Sequence, residues 1–166
     1  MVKGKDGFSL IELMMVVTIV GILAMLGPQI LTQATKFFIL GRTRLELQRE
    51  ARAAMYLVTR ELRQAQSATI MIDQISGQPN YSRITFTKQT LGGGTNVSLF
   101  QSGKTLSLTE GNTTSVLTKN LAYLAFAFPR SDDMTIVSVS MTLQEQIYNG
   151  AYKALHMASE KVRVMN

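Results

Sequence analysis

Apolar residues fill positions 8–26 almost without a break: 19 positions carry one charge, Glu12, and Gly27-Pro28 follows. An α-helix needs about 20 such residues to cross the hydrocarbon core of a bilayer, so this run predicts a membrane-spanning helix. Beyond Pro28 the pattern becomes amphipathic. Leu47, Ala51, Ala54, Val58, Leu62 and Ala65 recur every three or four positions and make one apolar stripe. The opposite side carries Arg42, Arg44, Arg49, Arg52, Arg60 and Arg63, interleaved with Glu46, Glu50 and Glu61. The spacing predicts a helix over 42–66, with Gly41 as a candidate interruption. After Ser67 the period drops to two. "SRITFTK" alternates through Ile84 and Phe86, and "NVSLFQSGKTLSLTE" places Ser102-Gly103-Lys104 between two strand-like runs, as in a hairpin. "LAYLAFAF" alternates through Leu124, Phe126 and Phe128 before Pro129. "TIVSVSMTL" alternates through Val137, Val139, Met141 and Leu143, and "SEKVRVMN" reads as a closing strand. Five or six antiparallel strands with one covered face suit a sheet packed on the helical stripe. The expected class is α+β, a long hydrophobic-then-amphipathic N-terminal helix packed on a C-terminal antiparallel sheet.

Composition narrows the chemistry. The 166 residues include no cysteine, which leaves no disulfide and no thiolate metal site, and one histidine, His156, too few for a histidine metal centre or a triad. The formal charge is +6, and losing Lys3, Lys5 and Asp6 would lower it by one. Such mild basicity favours anionic surfaces but does not by itself argue for nucleic acid.

The acid in the apolar run separates three readings of it. A secretory signal peptide has a shorter apolar core, about 7–15 residues, ending in a small-x-small cleavage site; Ala24-Met25-Leu26 puts a large residue where a small one is required. A plain single-pass anchor fits the length but gives Glu12 no purpose, and an acid in lipid costs up to about 2.5–3.5 kcal/mol at mid-helix, less near the interface. Cleavage after Gly7 would give Phe8 a free α-amine one helical turn before Glu12, a natural counter-ion on the same or a neighbouring chain.

Gly7-Phe8-Ser9-Leu10-Ile11-Glu12-Leu13, behind a short basic leader and directly before an apolar helix, resembles the cleavage and methylation motif of type IV prepilins and type II secretion pseudopilins. The resemblance covers about the first 30 residues. It implies that a prepilin peptidase cuts between Gly7 and Phe8 on the cytoplasmic side and methylates the Phe8 amine, and that Glu12 pairs with the amine of an adjacent subunit during assembly. Asp6 departs from the Lys or Arg often found before the glycine, while Lys3 and Lys5 keep the leader cytoplasmic. The implied organisation is a cleaved leader (1–7), a filament-core helix (8–28), its amphipathic continuation (29–66) and a β-rich periplasmic or extracellular domain (67–166). The implied partners are other pilin or pseudopilin subunits, the peptidase, the inner membrane and its assembly platform. Gly21, Gly27 and Pro28 are similar to residues that mark a stretch of pilin helix able to extend inside a filament; a kink at the membrane exit is the alternative. More weakly, residues 45–66 and the terminal "VRVMN" resemble the W-type minor pilins and the J-type minor pseudopilins.

No catalytic constellation accompanies these features, and neither a cofactor nor an enzyme is expected. Gly92-Gly93-Gly94 lacks the Gly-Lys-Ser/Thr of a phosphate loop and reads as a turn. Asp132-Asp133 offers too few ligands for calcium without backbone help and reads as a solvated turn. Ser107, Ser138 and Ser140 have no paired base. The expected function is a minor pilin-like structural subunit, with a type II secretion pseudopilin and an adhesive or DNA-binding pilus subunit as alternatives. The arginine side or loop 88–96 would serve the last of these, although neither shows a clear basic and aromatic groove.

Overall fold

The computed structural model describes Gly7, residues 9–90, 93–148 and 150–164. Phe8, leader residues 1–6, Gly92 and the last two residues of "VRVMN" lie outside the described residues. The chain divides into two units, Met1–Gly41 and Arg42–Asn166, each taken by itself below.

In the first unit, helix α1 (Leu10–Arg63) begins at Leu10, and its hydrogen-bonded ladder continues through Gly21, Gly27, Pro28 and Gly41. Pro28 has no N–H to donate to the Ala24 carbonyl, so one bond is missing there. Thr18, Thr32 and Thr35 satisfy their hydroxyls internally, donating to the carbonyls of Met14, Pro28 and Leu31 at 2.7–2.9 Å. The exposed apolar surface does not stop at Leu26. Ile30, Leu31, Phe37 and Phe38 are also exposed, the two phenylalanines at 81% and 76%. The segment just after Pro28 is therefore less polar on its surface than an amphipathic continuation would be.

In the second unit, the stripe Leu47, Ala51, Ala54, Val58 and Leu62 is buried, and Ala65 is buried just past the helix. Helix α1 ends at Arg63, three residues short of the expected 66. Its final turn tightens, with the Gln64 and Ala65 amides donating to Glu61 and Leu62 three residues back. Ala65 then bridges to Lys88 in antiparallel fashion.

Eight strands follow among the described residues, in two antiparallel sheets where one sheet of five or six was expected. The first contains β1 (Met71–Asp73), β2 (Arg83–Thr90), β3 (Gly93–Ser102), β4 (Thr105–Glu110) and β5 (Thr113–Thr118) in that order; the second is β6 (Leu121–Ala127), β7 (Ile136–Ile147) and β8 (Tyr152–Arg163). Gly93 and Gly94 open β3 instead of forming a turn. The hairpins β3–β4 and β4–β5 each close on two residues, Gly103-Lys104 and Gly111-Asn112. Both glycines have φ +59°, the positive first position of a type II′ turn, which suits the twist of the flanking strands. The sheets adjoin at β6, where Phe126 N–H donates to Tyr81 O at 2.9 Å and Leu121 N–H to Lys104 O at 2.8 Å.

Alternation delivers the core. Ile84, Phe86, Val97, Leu99, Leu106, Leu124, Phe126, Val137, Val139, Met141, Leu143 and Val162 are buried together with the helical stripe. Each such side chain contributes about 1.5–3 kcal/mol by leaving water.

Candidate functional site

The helix start is set locally. Ser9 is the cap: its carbonyl accepts from the Glu12 and Leu13 amides at 3.1 and 3.2 Å, and its Oγ accepts from Glu12 N–H at 3.3 Å. Ser9-Leu10-Ile11-Glu12 thus has the Ser-x-x-Glu spacing of a capping box, with the serine half formed. Glu12 also lies in the first turn, where the helix dipole favours an acid. Its side chain is exposed, and among the described residues nothing bonds its carboxylate. The sequence reading missed this capping arrangement, although the spacing carries it.

From Leu10 to Leu26 every residue is exposed, and Gly27 at the run's end is half-buried. The segment is long and apolar enough to cross a membrane, and none of its membrane-length window is buried among the described residues. The 17 helical residues from Leu10 to Leu26 rise about 26 Å, and the helix continues past Pro28, so it can cover the hydrocarbon thickness of about 30 Å. Gly7 directly precedes this run; Phe8 is the one member of the motif outside the described residues. Glu12 therefore combines two properties. It lies in the first helical turn, and its exposed carboxylate, without a partner among the described residues, is five positions past Gly7 in the sequence.

The second unit holds two carboxylate clusters that sequence reasoning left on the solvated side. Glu61 is 2% exposed. It bonds Lys88 Nζ at 2.9 Å and Arg60 at 2.8 and 3.0 Å, and Lys88 also reaches Glu110 at 3.4 Å. Burial pushes the Glu61 carboxyl up, but its hydrogen bonds with Lys88 and Arg60 outweigh this and hold it below the ordinary glutamate range. The same bond raises Lys88. Glu50 accepts from Thr118 Oγ1 at 2.6 Å and Asn120 Nδ2 at 2.9 Å, tying the helix to the junction of β5 and β6. The spacing signal was present, since Glu50 and Glu61 fall beside Ala51 and Leu62 at the border of the apolar stripe.

The remaining candidates have local roles. Asp132 bonds Arg130 at 2.7 and 3.0 Å, and Asp133 accepts from the Thr135 amide at 2.9 Å and from its hydroxyl. Both aspartates are held below the usual carboxylate range, Asp132 chiefly by Arg130 and Asp133 by Thr135. Ser140 and Ser159 share a hydroxyl bond of 3.0 Å across strands. Among the described residues no three His, Asp or Glu side chains gather as metal ligands. Half-buried His156 lies in β8, beside a groove against α1.

No curated protein and no solved structure matches the chain. Residues 2–27 match the family described as the prokaryotic N-terminal methylation motif. The match covers Gly7, Phe8 and Glu12, and with the exposed apolar helix it fits membrane anchoring before assembly. The chain thus carries, at its N-terminus, the signal of type IV pilins and pseudopilins.

Proposed function

We propose that the chain is a minor pilin-like structural subunit of a type IV pilus-like filament or a type II secretion pseudopilus, two machines that share this signal. Prepilin peptidase hydrolyses the Gly7–Phe8 bond at the cytoplasmic face, and the freed Phe8 amine takes a methyl group from a sulfonium methyl donor. The mature helix then leaves the bilayer for the filament core, aided by local yielding at Gly21, Gly27 and Pro28. Glu12 pairs with the Phe8-type amine of a neighbouring subunit, which sets the axial register. The β-rich unit lies outside the inner membrane and carries no catalytic role, in keeping with the structural character of proteins that bear this signal.

The observation that carries the reading is the motif match over residues 2–27 on the first part of a helix whose membrane-length apolar window is unburied among the described residues. A carboxylate in that setting needs a counter-charge, and cleavage after Gly7 creates one. Intact mass and N-terminal sequencing of the membrane-extracted protein test it. The expected product starts at Phe8 and carries one added methyl group. A chain that still begins at Met1, or one cut beyond Leu26, refutes it.

A further inference from the structure

Within the 42–166 unit, one face of α1 and strand β8 bound an open groove of about 850 Å³. The helix side presents Arg52, Tyr56, Arg60 and Arg63, and the strand side is residues 156–160. Arg60 is engaged by Glu61, whereas Arg52 and Arg63 pair with no acid among the described residues. Glu160 is the acid on the strand side, so the groove is net basic. Tyr56 and Met157 are exposed, Met157 at 78%.

β8 is the last strand of its sheet. All 12 of its register partners are on β7, and no backbone group pairs with its other edge among the described residues. Such an edge offers alternating N–H and C=O groups to a further strand. The two walls are of similar length: residues 156 to 160 span about 13 Å along the strand, and the helix from Arg52 to Arg63 rises about 17 Å. An extended segment lying along residues 156–160 of β8 would occupy the groove that Arg52 and Arg63 also line.

We propose that this groove is a strand acceptor for an extended acidic segment of a neighbouring, different filament subunit. The incoming backbone pairs with β8, its carboxylates on one face meet Arg52 and Arg63, and an apolar side chain on its other face covers Met157. The identification of the partner as a filament subunit rests on the proposed function. A second copy of this chain is a poor occupant because each carries a net charge of +6, or +5 once residues 1–7 are removed.

The test uses the full chain in detergent micelles and a fluorescein-labelled heptapeptide of alternating valine and glutamate, read by fluorescence anisotropy. The acidic peptide should bind with affinity that falls as salt rises, and Arg52→Glu with Arg63→Glu should weaken it at least tenfold without changing the melting temperature. A version with lysine for glutamate should bind at least tenfold more weakly. N-methylating alternate amides blocks one strand edge at a time, so exactly one of the two methylated series should lose binding. Equal binding by both series overturns strand addition, and displacement of the peptide by oligo-dT at lower concentration than by free acidic peptide assigns the groove to nucleic acid instead. For the partner, a photo-crosslinking residue at Met157 in living cells should label an acidic stretch of another protein with an N-methylated mature N-terminus. An adduct to a second copy of this chain, or to a protein without that N-terminus, overturns the assignment of the occupant. The mass of this chain's own N-terminus decides the filament reading separately.

Discussion

Replacing Lys88 with methionine keeps the aliphatic stem in place and takes from Glu61 its 2.9 Å partner. The Glu61 side chain is 3% exposed and that of Lys88 19%, so water screens little of the interaction. Removing one member of a buried ion pair costs about 3–5 kcal/mol, because the other charge is stranded. Here Arg60 still donates twice to Glu61, which moves the expectation to about 2–3 kcal/mol, nearer the 1–3 kcal/mol for one lost partner of a buried group. For a unit of this size about 4 °C of melting temperature accompanies each kcal/mol, so a fall of about 10 °C is expected. All five tyrosines lie beyond residue 41, so near-ultraviolet tyrosine circular dichroism of the intact chain follows this unit alone. The Glu61→Leu/Lys88→Met double variant removes both charges and should cost less than Lys88→Met by itself, under about 1 kcal/mol. The pH dependence has a definite sign. The folded carboxyl of Glu61 is lowered, so its contribution is complete above the unfolded value near 4.3 and is lost as pH falls through the folded one. Lys88 is raised, so its contribution is complete below about pH 10 and is lost as pH rises through the folded value. Lys88→Met should therefore converge on the wild type in acid. A loss under about 0.5 kcal/mol for Lys88→Met, or a double variant costing the sum of the singles, would refute the account.

Glu12→Gln should be cleaved and methylated normally yet enter filaments as poorly as Glu12→Ala, measured by immunoblot of sheared filaments. Recovery with glutamine would reassign Glu12 to starting the helix beside Ser9. Leu62→Ala, at a fully buried stripe position, should cost about 3 kcal/mol in urea unfolding; a cost under about 1 kcal/mol would mean the helix is not part of the core. Gly103→Val forces a β-branched residue to φ +59° and should cost at least about 1–2 kcal/mol, read as a lower melting temperature with native circular dichroism below it.

Where one side of an element faces a core, the sequence made it legible. The stripe from Leu47 to Ala65 and the alternation from Val137 to Leu143 are buried as their spacing predicts. The elements it hid lack that contrast. β1 has three residues, too few for a period, and the first four residues of β5 are exposed at a sheet edge, so nothing forces alternation in "TTSVLT". β7 and β8 run longer than expected, meeting at Ile147 and Tyr152. Their ends, around "QEQIYNGAY", lie where the sheet is no longer covered and polar residues replace apolar ones. Two sheets arise where one was expected because the break falls at Lys119-Asn120, and Asn120, which marks it, is held by Glu50 from the helix, a contact no local pattern contains. The N-terminal methylation motif was legible because its residues are contiguous; the β8 groove was not, because its walls are about a hundred positions apart.

The exposure of every residue from Leu10 to Leu26 bears on the energetics of transfer. Lipid tails are as apolar as leucine, so moving this helix from bilayer to helical bundle removes little further apolar surface from water. On the proposed function, entry into a filament is then nearly balanced as far as these residues are concerned. The sign of the step falls to the few groups that differ between the two media, foremost the carboxylate of Glu12, which is costly in lipid and neutralised beside an amine. A subunit built this way can cross between membrane and filament in either direction on a small free-energy difference, and the work of an assembly machine need only tip it.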